Sequence, residues 1–68
     1  MSEFKVGDKV RVKENGVKAY AAAGSPLRDT AGTVAQVHDY EYITYPYDVV
    51  IGGKTLLFAR DEVEATDV

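Results

Sequence analysis

The sequence predicts a single all-β domain, five short strands closed into a small barrel with a long loop between strands 1 and 2. Three observations lead there. Apolar and polar residues alternate in short runs, as in Lys9-Val10-Arg11-Val12 and Tyr47-Asp48-Val49, with the two-residue period of a half-buried strand. Turn signals stand between the runs, notably Asn15-Gly16 and Gly52-Gly53, pairs that favour positive φ. The chain has 68 residues, 46% of them apolar, which suits one folded core and no second.

The elements follow in order. From Val6 to Lys13, alternation sets Val6, Asp8, Val10 and Val12 on one face and Gly7, Lys9, Arg11 and Lys13 on the other. Asp8 interrupts the apolar row, so Val6-Gly7-Asp8 reads as a turn and the first strand begins near Lys9. Asn15-Gly16 reads as the next turn. Val17 to Ala31 is rich in small and turn-forming residues and reads as the long loop. Val17 to Ala23 has helix propensity for one turn, which packing of Tyr20 or Leu27 must hold, because isolated helices shorter than ~12 residues are marginal. A loop of about 15 residues is uncommon in a compact domain and is often the functional one.

Gly32 to Val37 is β-rich and forms the second strand. His38 to Thr44 is a polar, aromatic connection. Tyr45 to Ile51 is the third strand, with Tyr47, Val49 and Ile51 on one face; Pro46, lacking a donor, belongs at its start or on an edge. Gly52-Gly53 makes a two-residue hairpin, and Lys54 to Ala59 is the fourth strand. Arg60-Asp61-Glu62 is short and charged, and Val63-Glu64-Ala65 offers a last apolar contact before the tail Thr66-Asp67-Val68. Residues 1–68 thus read as one domain without linker or repeat.

Composition narrows the function. The chain has no cysteine, which excludes disulfides and thiolate metal sites and fits a reducing compartment. Met1 to Lys5 opens directly into a charged pattern, and no apolar run reaches the ~18 residues of a membrane span. The reading is a cytoplasmic protein with no membrane partner. A net charge of −3 and a pI near 4.9 argue against a general phosphate-backbone binder. The charge is uneven: Met1 to Arg28 holds six basic residues against three acids, and Asp29 onward holds two against eight.

No catalytic or cofactor constellation emerges, and the expectation is a non-enzyme. His38 beside Asp39 is the chain's only histidine, whereas a catalytic or metal site needs several convergent groups; it reads as a loop histidine. Ser25 lacks a nucleophile-elbow context. Gly52-Gly53-Lys54 lacks the following Ser or Thr of a phosphate loop and lies between strands. The acids Asp39, Glu41, Asp61, Glu62, Glu64 and Asp67 lack calcium-loop spacing and read as a solvated surface.

The segments Val6-Gly7-Asp8-Lys9-Val10-Arg11-Val12, Gly32-Thr33-Val34, Tyr47-Asp48-Val49-Val50-Ile51 and Leu57-Phe58-Ala59 leading to Glu62-Val63-Glu64 together resemble the SH3-like small β-barrel superfamily, in its KOW-like forms. The last three also look like photosystem I subunit IV, in which a Gly-Thr-Val strand, a Tyr-Pro-initiated strand and a Phe-Ala…Glu-Val ending follow in that order. The resemblance implies the fold, with a short helical turn before Glu62-Val63; it says little of role, because this fold serves many.

Tyrosine is the unusual feature: Tyr40, Tyr42, Tyr45 and Tyr47 crowd into eight residues, with Tyr20 in the long loop. Tyr45 and Tyr47 share a strand face and are candidates for core or rim. Tyr40 and Tyr42 alternate with acids and read as exposed, as in a protein-binding face. The first hypothesis is therefore a protein-protein interaction module using Tyr20, Leu27 and Arg28 on one loop and Tyr40, Glu41 and Tyr42 on the next. The acids favour a basic peptide, and the absence of Trp argues against a proline-rich ligand.

The size suits a small phage or mobile-element protein acting on a host target. A second hypothesis is a KOW-like nucleic-acid or ribonucleoprotein module using Lys9, Arg11, Lys13, Lys18 and Arg28. Against it, outward lysines also protect an edge strand from aggregation. A third is a structural subunit of a larger assembly. The oligomeric state is left open by the sequence, a homodimer being one option, since an edge strand and a small core both gain from pairing.

Overall fold

Val10 and Val12 are buried and Lys9 and Arg11 exposed, so the two-residue period of the sequence becomes strand β1 (Lys9–Val12). The computed structural model describes residues 4–66; Met1 to Glu3 and the tail residues Asp67 and Val68 lie outside the described residues. After β1 come helix α1 (Glu14–Ala22), β2 (Ala31–Val37), β3 (Tyr47–Ile51), β4 (Lys54–Phe58), a 3-10 turn at Arg60–Glu62 and β5 (Val63–Ala65). The strands form one antiparallel sheet in the order β4-β3-β2-β1-β5. The all-β class holds.

Closure into a barrel does not. β4 and β5 end the sheet and do not pair with each other. Helix α1 bridges these two ends: the Tyr20 hydroxyl bonds the Leu57 backbone of β4, and Asn15 Nδ2 donates to the Asp61 carbonyl in the turn leading into β5, at 3.1 Å.

The helix itself corrects the expected loop. Asn15-Gly16 lies inside α1 and is no turn. Gly16 is there for space: a Cβ on it would lie 2.6 Å from Val12 Cγ1 and 3.2 Å from the Glu62 carbonyl oxygen, closer than packed atoms tolerate. Gly24, at φ +83°, ends the helix. Its N–H donates to the Ala21 carbonyl and the Ser25 N–H to the Tyr20 carbonyl, the pairing of a Schellman cap. Glu14 and Lys18, 3.0 Å apart, form an exposed i,i+4 pair that stabilises the helix by only about 0.3 kcal/mol.

Two further expectations are revised. β1 lies between β2 and β5, so Lys9 and Arg11 do not guard an edge. Val6 is 65% exposed and does not continue the apolar row. The Asp8 side chain accepts from the Lys5 N–H at 2.9 Å and makes the turn that precedes β1. β3 begins at Tyr47, one residue after buried Pro46, whose carbonyl accepts from the His38 N–H.

The core comprises Phe4, Val10, Val12, Val34, Tyr47, Val49, Ile51, Phe58 and Val63, with Val17, Tyr20, Leu27, Val37 and Leu56 packed against it. Phe4 meets Tyr47 edge-on at 5.3 Å. Each fully buried side chain contributes roughly 1.5–3 kcal/mol, and no charged side chain is buried among the described residues.

Candidate apolar groove between the helix and the sheet edge

β4 is an edge strand, and its backbone groups alternate between facing β3 and facing away. Leu57 stands opposite Asp48 with its N–H and C=O turned outward, where the Tyr20 hydroxyl meets both. The hydroxyl donates to the Leu57 carbonyl at 2.7 Å and accepts from the Leu57 N–H at 3.0 Å. The Tyr20 ring packs on Phe58 at 5.2 Å. One side chain thus fixes the helix to the sheet and satisfies the edge at that point.

Beside this junction runs a groove of about 250 Å³ lined by Ala19, Tyr20, Ala23, Tyr45, Leu57 and Glu62. Tyr45 is 50% exposed and Leu57 49%. Glu62 is the only charged residue in the lining, and its Oε1 accepts from the Ala59 N–H at 2.8 Å. Burial raises the pKa of Tyr20; its bond to the Leu57 backbone opposes the rise, and the nearby Glu62 and Tyr45 add to it. The hydroxyl therefore keeps its proton at neutral pH, as a group that both donates and accepts must.

Upstream of Tyr45, the β2–β3 connection turns at Tyr40 to Ile43, where the Ile43 N–H approaches the Tyr40 carbonyl at 3.4 Å. Tyr42 occupies the third position of that turn at φ 73° and is 92% exposed. A bulky residue is strained at positive φ, and here the strain presents a tyrosine to solvent. Tyr40 and Glu41 are exposed too, and the Tyr40 ring lies 6.1 Å from that of His38. His38 Nε2 is 3.3 Å from Asp48 Oδ2, while Asp48 Oδ1 is buried without a hydrogen-bond partner among the described residues. His38 is thus half-buried against β3, where the sequence suggested a solvated loop histidine.

The six residues singled out from the sequence do not form one face. Tyr20 lines the groove. Leu27 and Arg28 line a different hollow beside the Gly52-Gly53 hairpin, because the chain reverses at Gly24 and carries them away from the helix. Tyr40, Glu41 and Tyr42 form the turn described above. Tyr45, a candidate for core or rim in the sequence, and Leu57, which the sequence did not single out, complete the groove. The signal for Leu57 was present: as the residue opposite Asp48 it falls on the outward face of β4, an unusual place for a large aliphatic.

The cations are also divided. Lys9 Nζ bonds Thr33 Oγ1 at 3.2 Å, Arg11 pairs with Glu64 at 3.6 Å, and Lys18 pairs with Glu14 on the helix. Among the described residues, no helix is long and apolar enough to cross a membrane. Compared with protein-family models, curated proteins and solved structures, the chain matches none.

Proposed function

We propose that this chain is a non-enzymatic protein-interaction module that holds an apolar segment of its partner in the groove between α1 and β4. The observation that carries the reading is the exposure of Tyr45 and Leu57 on a preformed apolar groove, three residues from the displayed Tyr42. Tyrosine gives large contact area at low entropic cost and is enriched at interface centres. Glu62, alone among the lining residues in its charge, favours a basic residue in the bound segment.

The strand order, with a 3-10 turn ahead of the last strand, supports kinship with the SH3-like superfamily in an open form. The reading extends to a cytoplasmic setting, which the cysteine-free composition suits, and to a small phage or mobile-element protein acting on a host target. The nucleic-acid alternative is weakened by the acidic balance and by the engagement of Arg11 and Lys18 with acids. The structural-subunit alternative predicts burial of a large patch rather than of one groove.

The test is affinity capture by the intact chain, with and without nuclease, repeated with Tyr45→Ser/Leu57→Ser. The reading requires a protein that survives nuclease and is lost with the folded double variant. Capture that is lost with nuclease moves the nucleic-acid alternative to first place.

A further inference from the structure

A second hollow, of about 170 Å³, lies between the irregular segment Pro26–Asp29 and the β3–β4 hairpin, lined by Pro26, Leu27, Arg28, Asp29, Ile51, Gly52, Lys54 and Leu56. Its lining is partly aliphatic, from Leu27, Ile51 and Leu56. Two cations stand in it, Arg28 and Lys54, and neither has an ion-pair partner among the described residues. Asp29 is the one acid, close to Gly52: its Oδ2 lies 3.6 Å from where a Cβ on that glycine would be. The lining therefore carries a surplus of positive charge in a chain of net charge −3.

The neighbouring edge adds a third feature. Thr55 lies between Lys54 and Leu56, two residues from Leu57, so its N–H and C=O also point away from β3. No other described residue bonds them. Tyr20 occupies the edge at Leu57, which leaves β4 open to a partner strand at Thr55 alone. A passing strand needs a longer open edge; a chain end does not.

We propose that this hollow receives the carboxyl end of a partner chain whose last side chain is aliphatic. A C-terminal residue carries a carboxylate and a side chain on one Cα, which matches two cations unpaired among the described residues beside an aliphatic pocket for a single side chain. Its backbone meets Thr55. The site is separate from the groove of Tyr20 and Tyr45, so it stands whether or not that groove binds.

The test is an amide-resolved NMR titration of the intact chain with a six-residue peptide ending in Leu, as the free acid and as the C-terminal amide. Hexanoate serves as a third probe. The free acid is expected to shift Arg28, Gly52, Gly53 and Thr55, and to bind at least about tenfold tighter than the amide. Arg28→Ala/Lys54→Ala, both at exposed positions, should abolish that difference while the spectrum stays folded. Equal binding of acid and amide, shifts confined to the Tyr20 and Tyr45 region, or no shift at millimolar peptide overturns the proposal. Hexanoate binding as tightly as the peptide overturns the chain-end assignment and leaves a small-carboxylate site.

Discussion

The Tyr20 hydroxyl closes both hydrogen-bonding groups of Leu57, donating at 2.7 Å and accepting at 3.0 Å. Exposed sheet edges template pairing with other chains, and this contact removes one of the two outward residues of β4. Tyr20→Phe is expected to cost about 1 kcal/mol through the lost bonds. Tyr20→Ala also loses the packing on Phe58 and should cost about 2 kcal/mol. Freed at Leu57, β4 should pair between copies, giving a concentration-dependent dimer in sedimentation equilibrium where the parent chain shows less. A monomeric, equally stable Tyr20→Ala variant would remove the edge role.

The same residue predicts an alkaline limit. The folded-state pKa of Tyr20 is raised above its ordinary 10.0, burial being the largest cause, so the folded state holds this proton more tightly than the unfolded state. Its contribution to stability is complete below about pH 10 and is lost as pH rises through the folded value. Urea unfolding between about pH 8 and about pH 11 should show stability falling at the upper end. Tyr20→Phe should show a smaller fall, and an identical fall in both proteins would refute the assignment.

Two glycines separate close packing from turn formation. A Cβ on Gly32 would lie 2.5 Å from the Val50 carbonyl oxygen and 2.6 Å from Ile51 Cγ1, atoms of the sheet that cannot withdraw. Gly32→Ala should destabilise the fold by about 2 kcal/mol. Gly16→Ala meets a similar clash with Val12 but gains about 1 kcal/mol in helix propensity, so its net cost should be nearer 1 kcal/mol. Chemical denaturation of both variants measures the difference; a stabilised Gly16→Ala would mean that the helix shifts freely on β1.

Strain at Tyr42 makes stability and binding diverge. Asn tolerates positive φ better than Tyr, so Tyr42→Asn should raise stability by roughly 0.5–1 kcal/mol. The same change should weaken capture of the protein partner. A variant that is stabilised and binds unchanged would reduce Tyr42 to a turn residue with no share in the interface.

Local pattern carried most of the strand assignment. The alternation in β1 and β3, the Gly52-Gly53 hairpin and the turn at Asp8 depend on neighbours one to three residues apart, and all are visible in the chain. Tyr40 and Tyr42 are exposed as expected, but so is Glu41 between them, because the segment is a turn and not an alternating strand. Helix α1 was legible only in its second half: Val17 to Ala23 has helix propensity and Tyr20 packs on Phe58, whereas Asn15-Gly16 is a turn signal in isolation and hides the helix start. Gly24-Ser25-Pro26 is a loop signal by composition, and only the bonds of the Gly24 and Ser25 N–H groups to the last helical turn make Gly24 a cap.

The all-β class, the order of the strands along the chain and the inward facing of Val10, Val12 and Val49 follow from a two-residue period and local turn chemistry. Tertiary structure alone decided that the sheet stays open, that α1 bridges its two ends, and that Tyr20 meets Leu57 while Leu27 and Arg28 turn elsewhere. Those relations join residues tens of positions apart, where packing volume and edge hydrogen bonding outweigh any local propensity.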